Sequence, residues 1–89
     1  MTYLMNIHPK CQNEIDKLCK KNPVLEHALK NKMYEILENP HHYKPMKYDL
    51  AGERRVHILK SFVLKFEIDE ANKRVTFLIF SHHDDAYKR

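Results

Sequence analysis

Three strand-like runs follow one another between residues 54 and 80, and they constrain the fold of this 89-residue chain more than any other feature. Apolar and polar residues alternate in the first two runs, residues 54–58 and 62–69, and Val75, Phe77 and Ile79 continue the alternation in the third. Successive side chains of a strand point to opposite faces. The pattern therefore predicts an antiparallel sheet with one apolar face and one polar face.

Two short turns set the predicted register of these strands. A tight turn at residues 59–61 places Ile58 across from Phe62, and it places His57 across from Val63. Directly opposed residues share a face, so this register keeps the apolar residues together. A second turn is predicted at residues 70–73. Strict alternation beyond it assigns Ile79 to the apolar face and Phe80 to the polar one.

The first half of the chain predicts one strand and two helices. Residues 2–8 form a short strand with both faces at least partly covered, which Pro9 ends. Apolar residues at helical spacing predict a helix over residues 10–21 and a second over residues 23–38. Asn22 is the expected N-cap of the second helix, and the short link between the helices implies a helical hairpin. Residues 41–50 lack a clear period, which is typical of a loop.

Together these elements predict a single α+β domain spanning residues 1–89. An N-terminal strand and a helical hairpin precede a three-stranded antiparallel meander, and the helices pack on one face of a four-stranded sheet. The helices need an apolar surface, and the face that carries Phe62 supplies it. The opposite face, which carries Arg55, His57, Lys65 and Glu67, stays uncovered. We call it the open face.

The charge of the chain favours a polyanionic partner. The formal net charge is +4, with seven histidines in addition. Nucleic acid or an acidic protein would suit this balance, and so would a merely solvated lysine-rich surface. No apolar run approaches the roughly 18 residues that span a bilayer, and the N-terminus lacks a signal-peptide pattern. We therefore expect a cytoplasmic protein without a membrane partner.

Cysteine and histidine residues raise the question of a disulfide or a metal site. Cys11 and Cys19 lie about 12 Å apart along one helix, too far for a disulfide, so we expect both to pack in the core. The pair His82–His83 consists of adjacent residues, which seldom bind one ion together, and no third ligand stands at a familiar spacing. We expect neither a metal ion nor a cofactor.

The order of elements and the ending His-His-Asp-x-x-Tyr at residues 82–87 resemble the RelE/ParE superfamily of toxin–antitoxin toxins over nearly the whole chain. The sequences Arg-x-x-His-Ile and Ser-Phe-Val-Leu-x-Phe-x-Ile-Asp are similar to the branch related to RelE and YafQ. Members of that branch are ribosome-dependent mRNA endonucleases. In it, function is carried by a strand histidine and by a basic residue four positions before a terminal aromatic. These positions here are His57, and His83 ahead of Tyr87.

The chain departs from the broader family pattern at informative positions. Val63 stands after Phe62 where an arginine is often found, and Arg55 and His57 stand near the position of the catalytic lysines of RelE. Strict alternation through the last strand would direct His82, rather than His83, to the open face. The four-residue spacing to Tyr87 favours His83, and His82 remains the second choice.

The resemblance implies an endoribonuclease that cleaves mRNA without metal through the ribose 2′-OH. Its expected partners are a RelB-like antitoxin, mRNA in the ribosomal A site and ribosomal RNA. His57 and His83 would transfer protons, Arg54 or Arg55 would stabilise charge, and Tyr87 would stack on a base or orient the phosphate. Further RNA contacts are expected from Lys44, Lys47, Lys60, Lys65 and His82.

Two other functions are open at the level of sequence. One is a ParE-like toxin that inhibits gyrase, although such chains tend to lack this set of histidines. The other is a binding module that keeps the fold but has no catalytic activity.

Overall fold

The computed structural model describes residues 2–43 and 53–83. The elements in chain order are β1 (Leu4–Ile7), α1 (Pro9–Cys19), α2 (Pro23–Glu38), a 3₁₀ turn (Pro40–His42), β2 (Glu53–Ile58), β3 (Phe62–Asp69) and β4 (Arg74–His82). The strands form one sheet in the order β1-β4-β3-β2, with β1 parallel to β4 and the other pairs antiparallel. The predicted α+β fold is confirmed.

Both helices begin at a proline that follows a capping side chain. His8 accepts the backbone N–H of Lys10 through Nδ1 at 3.2 Å, and Pro9 is the first residue of α1. The side chain of Asn22 accepts the N–H of Leu25 at 3.1 Å, as predicted. The predicted bounds of α2 are confirmed. The first helix was predicted over residues 10–21, whereas α1 begins one residue earlier, at Pro9, and ends two residues earlier, at Cys19.

The N-terminal strand is shorter and more exposed than predicted. β1 covers four residues instead of seven, and Leu4 and Met5 are 60% and 50% exposed. The prediction that both faces are partly covered holds for the face of Tyr3 and Ile7, which pack against the core, and was wrong for the face of Leu4 and Asn6. Leu4 and Asn6 pair with Arg74 and Thr76 of β4, on the side of the sheet opposite to the core.

The core lies between the two helices and one face of the sheet, which we call the helix face. Fourteen buried residues form this core: Cys11, Cys19, Leu25, Leu29, Met33, Ile36, Leu37, Val56, Ile58, Leu64, Phe66, Val75, Phe77 and Phe80. Both cysteines are buried free thiols, as predicted, and burial raises the pKa of Cys11 to about 11.

The predicted pairing of β2 with β3 is confirmed. Ile58 lies opposite Phe62, Val56 opposite Leu64, and His57 opposite Val63. The turn between the strands holds two residues other than glycine in the left-handed region, Leu59 at φ 52° and Lys60 at φ 64°. A residue with a Cβ pays roughly 1–2 kcal/mol for this conformation, so the turn is strained.

The pairing of β3 with β4 contains a β-bulge that the sequence analysis did not predict. Phe66 pairs with Phe77, but the preceding residue Lys65 pairs with Ile79, so Leu78 is an extra residue in β4. The alternation reverses from this point. Phe80 is fully buried on the helix face and Ile79 is 38% exposed on the open face. The predicted faces of Ile79 and Phe80 were therefore wrong.

The part of the chain between α2 and β2 is described only in part. Residues 41–43 include the end of a 3₁₀ turn where a loop was predicted, and the rest of that predicted loop lies outside the described residues. Within the described ranges, neither helix combines the length and the apolar character that a membrane span requires.

Candidate functional site

The open face of the sheet carries a row of polar side chains across its three C-terminal strands. α1 and α2 supply their buried residues to the core on the helix face, so within residues 2–43 and 53–83 no helix covers the open face. His57 on β2, Val63 on β3 and Ser81 on β4 are neighbours in the strand pairing. Opposed residues share a face, so all three lie on the open face.

His83 lies beside His57. The centroids of the two imidazole rings are 5.4 Å apart and the ring planes are inclined by 33°. The β-bulge produces this arrangement, because reversing the alternation at Leu78 sends every second residue from Ile79 to His83 to the open face. The backbone N–H of His83 donates to the carbonyl oxygen of Ser61, which continues the strand pairing up to this residue.

His82 takes the opposite direction. It pairs with Phe62, a residue that packs against the core, and its ring contacts the Phe62 ring edge-on with centroids 5.4 Å apart. Strict alternation predicted His82 on the open face, and the structure places it on the helix face. The position of His83 agrees with the choice that rested on its spacing from Tyr87.

Val63 is a buried apolar residue of the open face. Its side chain lies on the open face and outside the main core cluster, yet it is fully buried. In the strand pairing it lies between His57 on β2 and Ser81 on β4. An apolar, buried residue therefore adjoins the imidazole pair.

Two cationic side chains lie next to the imidazole pair. Arg55 is exposed two residues before His57, and Lys65 is half-buried directly opposite Arg55 on β3. Lys60 is exposed in the strained turn at the same end of β2 as His57. Carboxylates occur on this face one row further away, where Glu53 lies opposite Glu67. Positive charge therefore adjoins the two rings.

Arg54 does not join this group. It pairs with the core residue Phe66, and its Nε donates to the backbone oxygen of Tyr43 at 2.9 Å. The prediction that Arg54 converges with His57 was therefore wrong, because adjacent residues of a strand point to opposite faces. Of the two predicted arginines, only Arg55 lies on the open face.

Three residues predicted to contact RNA or substrate cannot be placed. Tyr87, Lys44 and Lys47 lie outside the described residues. Their proposed roles stay predictions.

A second polar cluster lies at the other end of the sheet, around Glu70 in the turn between β3 and β4. The hydroxyl of Tyr3 donates to both Glu70 oxygens at 2.9 and 3.1 Å, and Nε2 of His41 lies 2.6 Å from Oε1. Lys73 forms an ion pair with the same carboxylate. Hydrogen bonds from Lys73, His41 and Tyr3, in that order of size, lower the pKa of Glu70 to about 2. We call these four residues the Glu70 cluster.

Neither the Glu70 cluster nor Ser81 was predicted from the sequence. The members of the Glu70 cluster are separated by up to 70 positions in the chain, and no short motif connects them. The sequence gives one weak indication of Ser81. It stands two residues before His83, and residues two apart in a strand lie on the same face. That signal depended on the same register that the bulge changed.

The open-face group has the chemical means to act on a phosphodiester. Imidazole exchanges protons near neutral pH, so one ring is suited to accept a proton while the other donates one. Guanidinium and ammonium groups bind non-bridging phosphate oxygens. The group thus combines two proton carriers with adjacent positive charge.

Sequence comparison identifies relatives that match the chain along almost its entire length. No family model matches. The chain is 46% identical over 87 residues to "Putative toxin RelE4" of Methanocaldococcus jannaschii, covering 98% of this chain and 93% of that protein. It is 42% identical over 85 residues to an uncharacterized protein of Methanosarcina mazei, covering 96% and 99% respectively.

Solved structures share the fold at low sequence identity. The toxin–antitoxin complex RelBE2 of Mycobacterium tuberculosis matches with a TM-score of 0.78 and 20% identity over 93% of each chain. A mutant of the Escherichia coli toxin RelE in the free state matches with 0.79 and 17% over 97% of this chain and 88% of that one. The E. coli DinJ–YafQ toxin–antitoxin complex matches with 0.75 and 19%, covering 99% and 100%.

Proposed function

Since this chain belongs to the RelE family of toxins, we propose that it is a ribosome-dependent endoribonuclease that cleaves mRNA and inhibits translation. The observation that carries the proposal is the pair of imidazole rings, His57 and His83, 5.4 Å apart on the open face beside Arg55. We place the enzyme in the cytoplasm, where translating ribosomes present mRNA.

The proposed reaction is an internal transfer at phosphorus that needs no metal. One imidazole removes the proton of the ribose 2′-OH, and the 2′-oxygen attacks the adjacent phosphorus. The bond from phosphorus to the 5′-oxygen breaks as the other imidazole donates a proton to that oxygen. The products are a 2′,3′-cyclic phosphate and a 5′-hydroxyl. Each positioned proton transfer contributes roughly 10²–10⁴-fold to the rate.

Arg55 is the residue we assign to the charge that develops on phosphorus. It lies two residues before His57 on the same face, and it is exposed, so its guanidinium reaches a substrate on the open face. Lys65 and Lys60 extend the positive surface and would contact neighbouring phosphates. The ribosome would hold the mRNA in the A site, with ribosomal RNA against this basic surface.

The proposed partner in the cell is a RelB-like antitoxin. Among the solved structures that share the fold, RelBE2, E. coli RelBE and DinJ–YafQ are complexes of a toxin with its antitoxin. A protein that cleaves mRNA needs such an inhibitor, and the net charge of +4 suits an acidic one.

His83→Ala tests the proposal, and His82→Ala is its matched control. The two residues are neighbours in sequence, but only His83 lies against His57, while His82 contacts Phe62 on the helix face. Toeprinting on translating ribosomes should show cleavage by the native protein and by His82→Ala, and at least 100-fold slower cleavage by His83→Ala. Circular dichroism should show that all three proteins are folded.

Two results would reject the proposal. One is full cleavage by His83→Ala, which would remove this residue from the chemistry. The other is the lack of cleavage by the native protein on ribosomes together with inhibition of gyrase in a supercoiling assay, which would identify a ParE-like toxin.

A further inference from the structure

The turn between β2 and β3 has a backbone conformation that its residues do not favour. Leu59 and Lys60 adopt φ 52° and φ 64°, a region in which a residue with a Cβ is sterically disfavoured. The backbone N–H of Ser61 donates to the carbonyl oxygen of Leu59 at 2.6 Å. A bond of this span around a residue with positive φ is the pattern of the strained form of the γ-turn, which is rare.

Backbone preference does not explain why a leucine and a lysine stand in this turn. Glycine or asparagine would adopt the same conformation at a lower cost. The side chain of Leu59 is 48% exposed and Lys60 is exposed as well, so neither residue is needed to fill the core. Strained residues cluster at sites of function. The two side chains therefore point to a use at the surface of the turn.

The turn adjoins the imidazole pair from two sides. Leu59 stands two residues after His57 in the chain, a distance of roughly 6.7 Å along a strand. The backbone oxygen of Ser61, the last residue of the turn, accepts the N–H of His83. A phosphodiester bound at the two rings would therefore bring a neighbouring nucleotide against the turn.

The two exposed side chains of the turn match two parts of a nucleotide. Lys60 carries an ammonium group, which binds phosphate as a point charge. Leu59 offers an aliphatic surface without any hydrogen-bonding group, and leucine is one of the residues that proteins place against the faces of nucleic-acid bases.

We propose that Leu59 is a specificity-determining residue: its side chain packs against the base of the nucleotide that adjoins the scissile phosphodiester. This inference rests on the proposed function, because it names a base-binding subsite beside the same pair of imidazoles. An aliphatic side chain distinguishes bases by the apolar area that it covers, since it makes no hydrogen bond to them. Leu59 therefore changes the rate of cleavage by different factors at sites with different bases.

Cleavage-site mapping on translating ribosomes tests this assignment with Leu59→Asn. Asparagine tolerates positive φ, so the turn is kept while the aliphatic side chain is lost. For mRNAs that differ only in the base next to the cleaved bond, the rates of the native protein should span about tenfold, as differences in apolar contact do in other sites. The span should narrow to about twofold in Leu59→Asn, and Leu59→Met, which keeps an apolar side chain, should restore most of it.

Two variants serve as matched controls. Leu4 is an exposed leucine at the end of the sheet that holds the Glu70 cluster, so Leu4→Asn makes the same change away from the turn. Lys73 also has a positive φ, 51°, and lies in the turn between β3 and β4, so Lys73→Asn relieves backbone strain at that end. Both variants should cleave with the native rates and the native span.

Two outcomes of the mapping would overturn the proposal. One is a native span of rates in Leu59→Asn. The other is a loss of cleavage by the same factor for every base, which would assign Leu59 to docking on the ribosome and not to the choice of base.

Methyl NMR on the free protein tests the contact without any cleavage. The probe is a 2′-O-methyl hexaadenylate, which lacks the nucleophilic hydroxyl. Its bases should shift the methyl signals of Leu59 upfield through their ring currents and leave those of Leu4 in place. Unchanged Leu59 signals at a concentration of the probe that shifts other signals of the open face would contradict the contact.

The two measurements separate the possible failures. If the native protein does not cleave mRNA, the proposed function fails, and the methyl signals still decide whether Leu59 contacts a base. If the native protein cleaves mRNA but neither the span of rates nor the methyl signals respond as expected, only the role of Leu59 is lost.

Discussion

The two ends of the sheet differ in how their polar side chains are partnered. At the end with the turn between β3 and β4, the sheet has four strands, and the Glu70 cluster joins one carboxylate to three partners. At the other end β1 has stopped, because it pairs only with residues 74–77 of β4. There two imidazoles lie together and the hydroxyl of Ser81 has no partner among the described residues. The turn at this end holds two residues in the left-handed region, Leu59 and Lys60, whereas the turn between β3 and β4 holds one, Lys73.

This difference separates polar groups that stabilise the fold from polar groups to which we assign a chemical role. A network whose members are all hydrogen-bonded contributes to the fold, whereas strain and unpartnered groups persist where function requires them. The Glu70 cluster is of the first kind and connects β1, the 3₁₀ turn and the turn between β3 and β4. We propose that the end with His57 and His83 is of the second kind.

The bulge at Leu78 lies between the two ends of the sheet. The substitution Phe80→Ala tests whether the bulge is present, and it has the largest expected effect on stability. Phe80 is fully buried, so its truncation should cost roughly 3–5 kcal/mol of unfolding free energy, while Ile79→Ala should cost clearly less because Ile79 is partly exposed. Urea unfolding at low temperature measures both. If Phe80→Ala does not fold, Phe80→Leu replaces it. A larger loss for Ile79→Ala would indicate a register without the bulge.

Arg55→Gln should reduce cleavage of mRNA by roughly 10²–10³-fold, which corresponds to about 2.7–4 kcal/mol of transition-state stabilisation. Arg55 lies on the open face, so little change in stability is expected. Arg54→Gln is the matched control, since Arg54 binds Tyr43 on the helix face. It should lose stability while retaining most of the cleavage per folded molecule. If Arg55→Gln and Arg54→Gln lost cleavage equally, the side of the sheet on which the arginine lies would not matter for cleavage.

Leu59→Gly should stabilise the protein by up to about 1 kcal/mol, because glycine adopts φ 52° without the steric cost paid by leucine. Thermal unfolding provides the measurement. The same substitution at Ile58, which lies in β2 and is buried, serves as the contrast and should destabilise strongly. A lower melting temperature for Leu59→Gly would show that the turn is not strained.

Glu70→Gln should have the smallest effect, and one that depends on pH. The pKa of Glu70 is lowered from 4.5 to about 2 in the folded protein. Its contribution to stability is therefore fully present above pH 4.5 and is lost as the pH falls toward 2. Unfolding experiments at pH 7 and at pH 2 should find the native protein slightly more stable than Glu70→Gln only at pH 7. If the native protein were equally more stable than Glu70→Gln at pH 2, the difference in stability would not come from the charge of Glu70.

Much of the architecture was predictable because local patterns in the sequence are unambiguous. The stripe of α2 from Leu25 to Leu37 has one period, and Asn22–Pro23 marks its start. The pairing of β2 with β3 followed from alternation on both sides of a short turn. The same patterns sufficed to place His57 on the uncovered side of the sheet.

The site itself could be predicted only in part. Phe77, Leu78, Ile79 and Phe80 are all apolar, so alternation cannot tell which of them faces the core. The large Phe80 ring gains more from burial than the Ile79 side chain, and inserting Leu78 as a bulge allows that burial. This choice also decides that His83, and not His82, meets His57.

The sequence by itself determined that the chain forms an α+β domain whose open face carries histidine and arginine, because hydrophobic periodicity and turn residues act over short distances. Only the tertiary structure decided which histidine and which arginine share that face, and that Ser81 lies beside them. Those outcomes depend on how the core packs against a bulged strand, and packing is settled among residues that are distant in the chain.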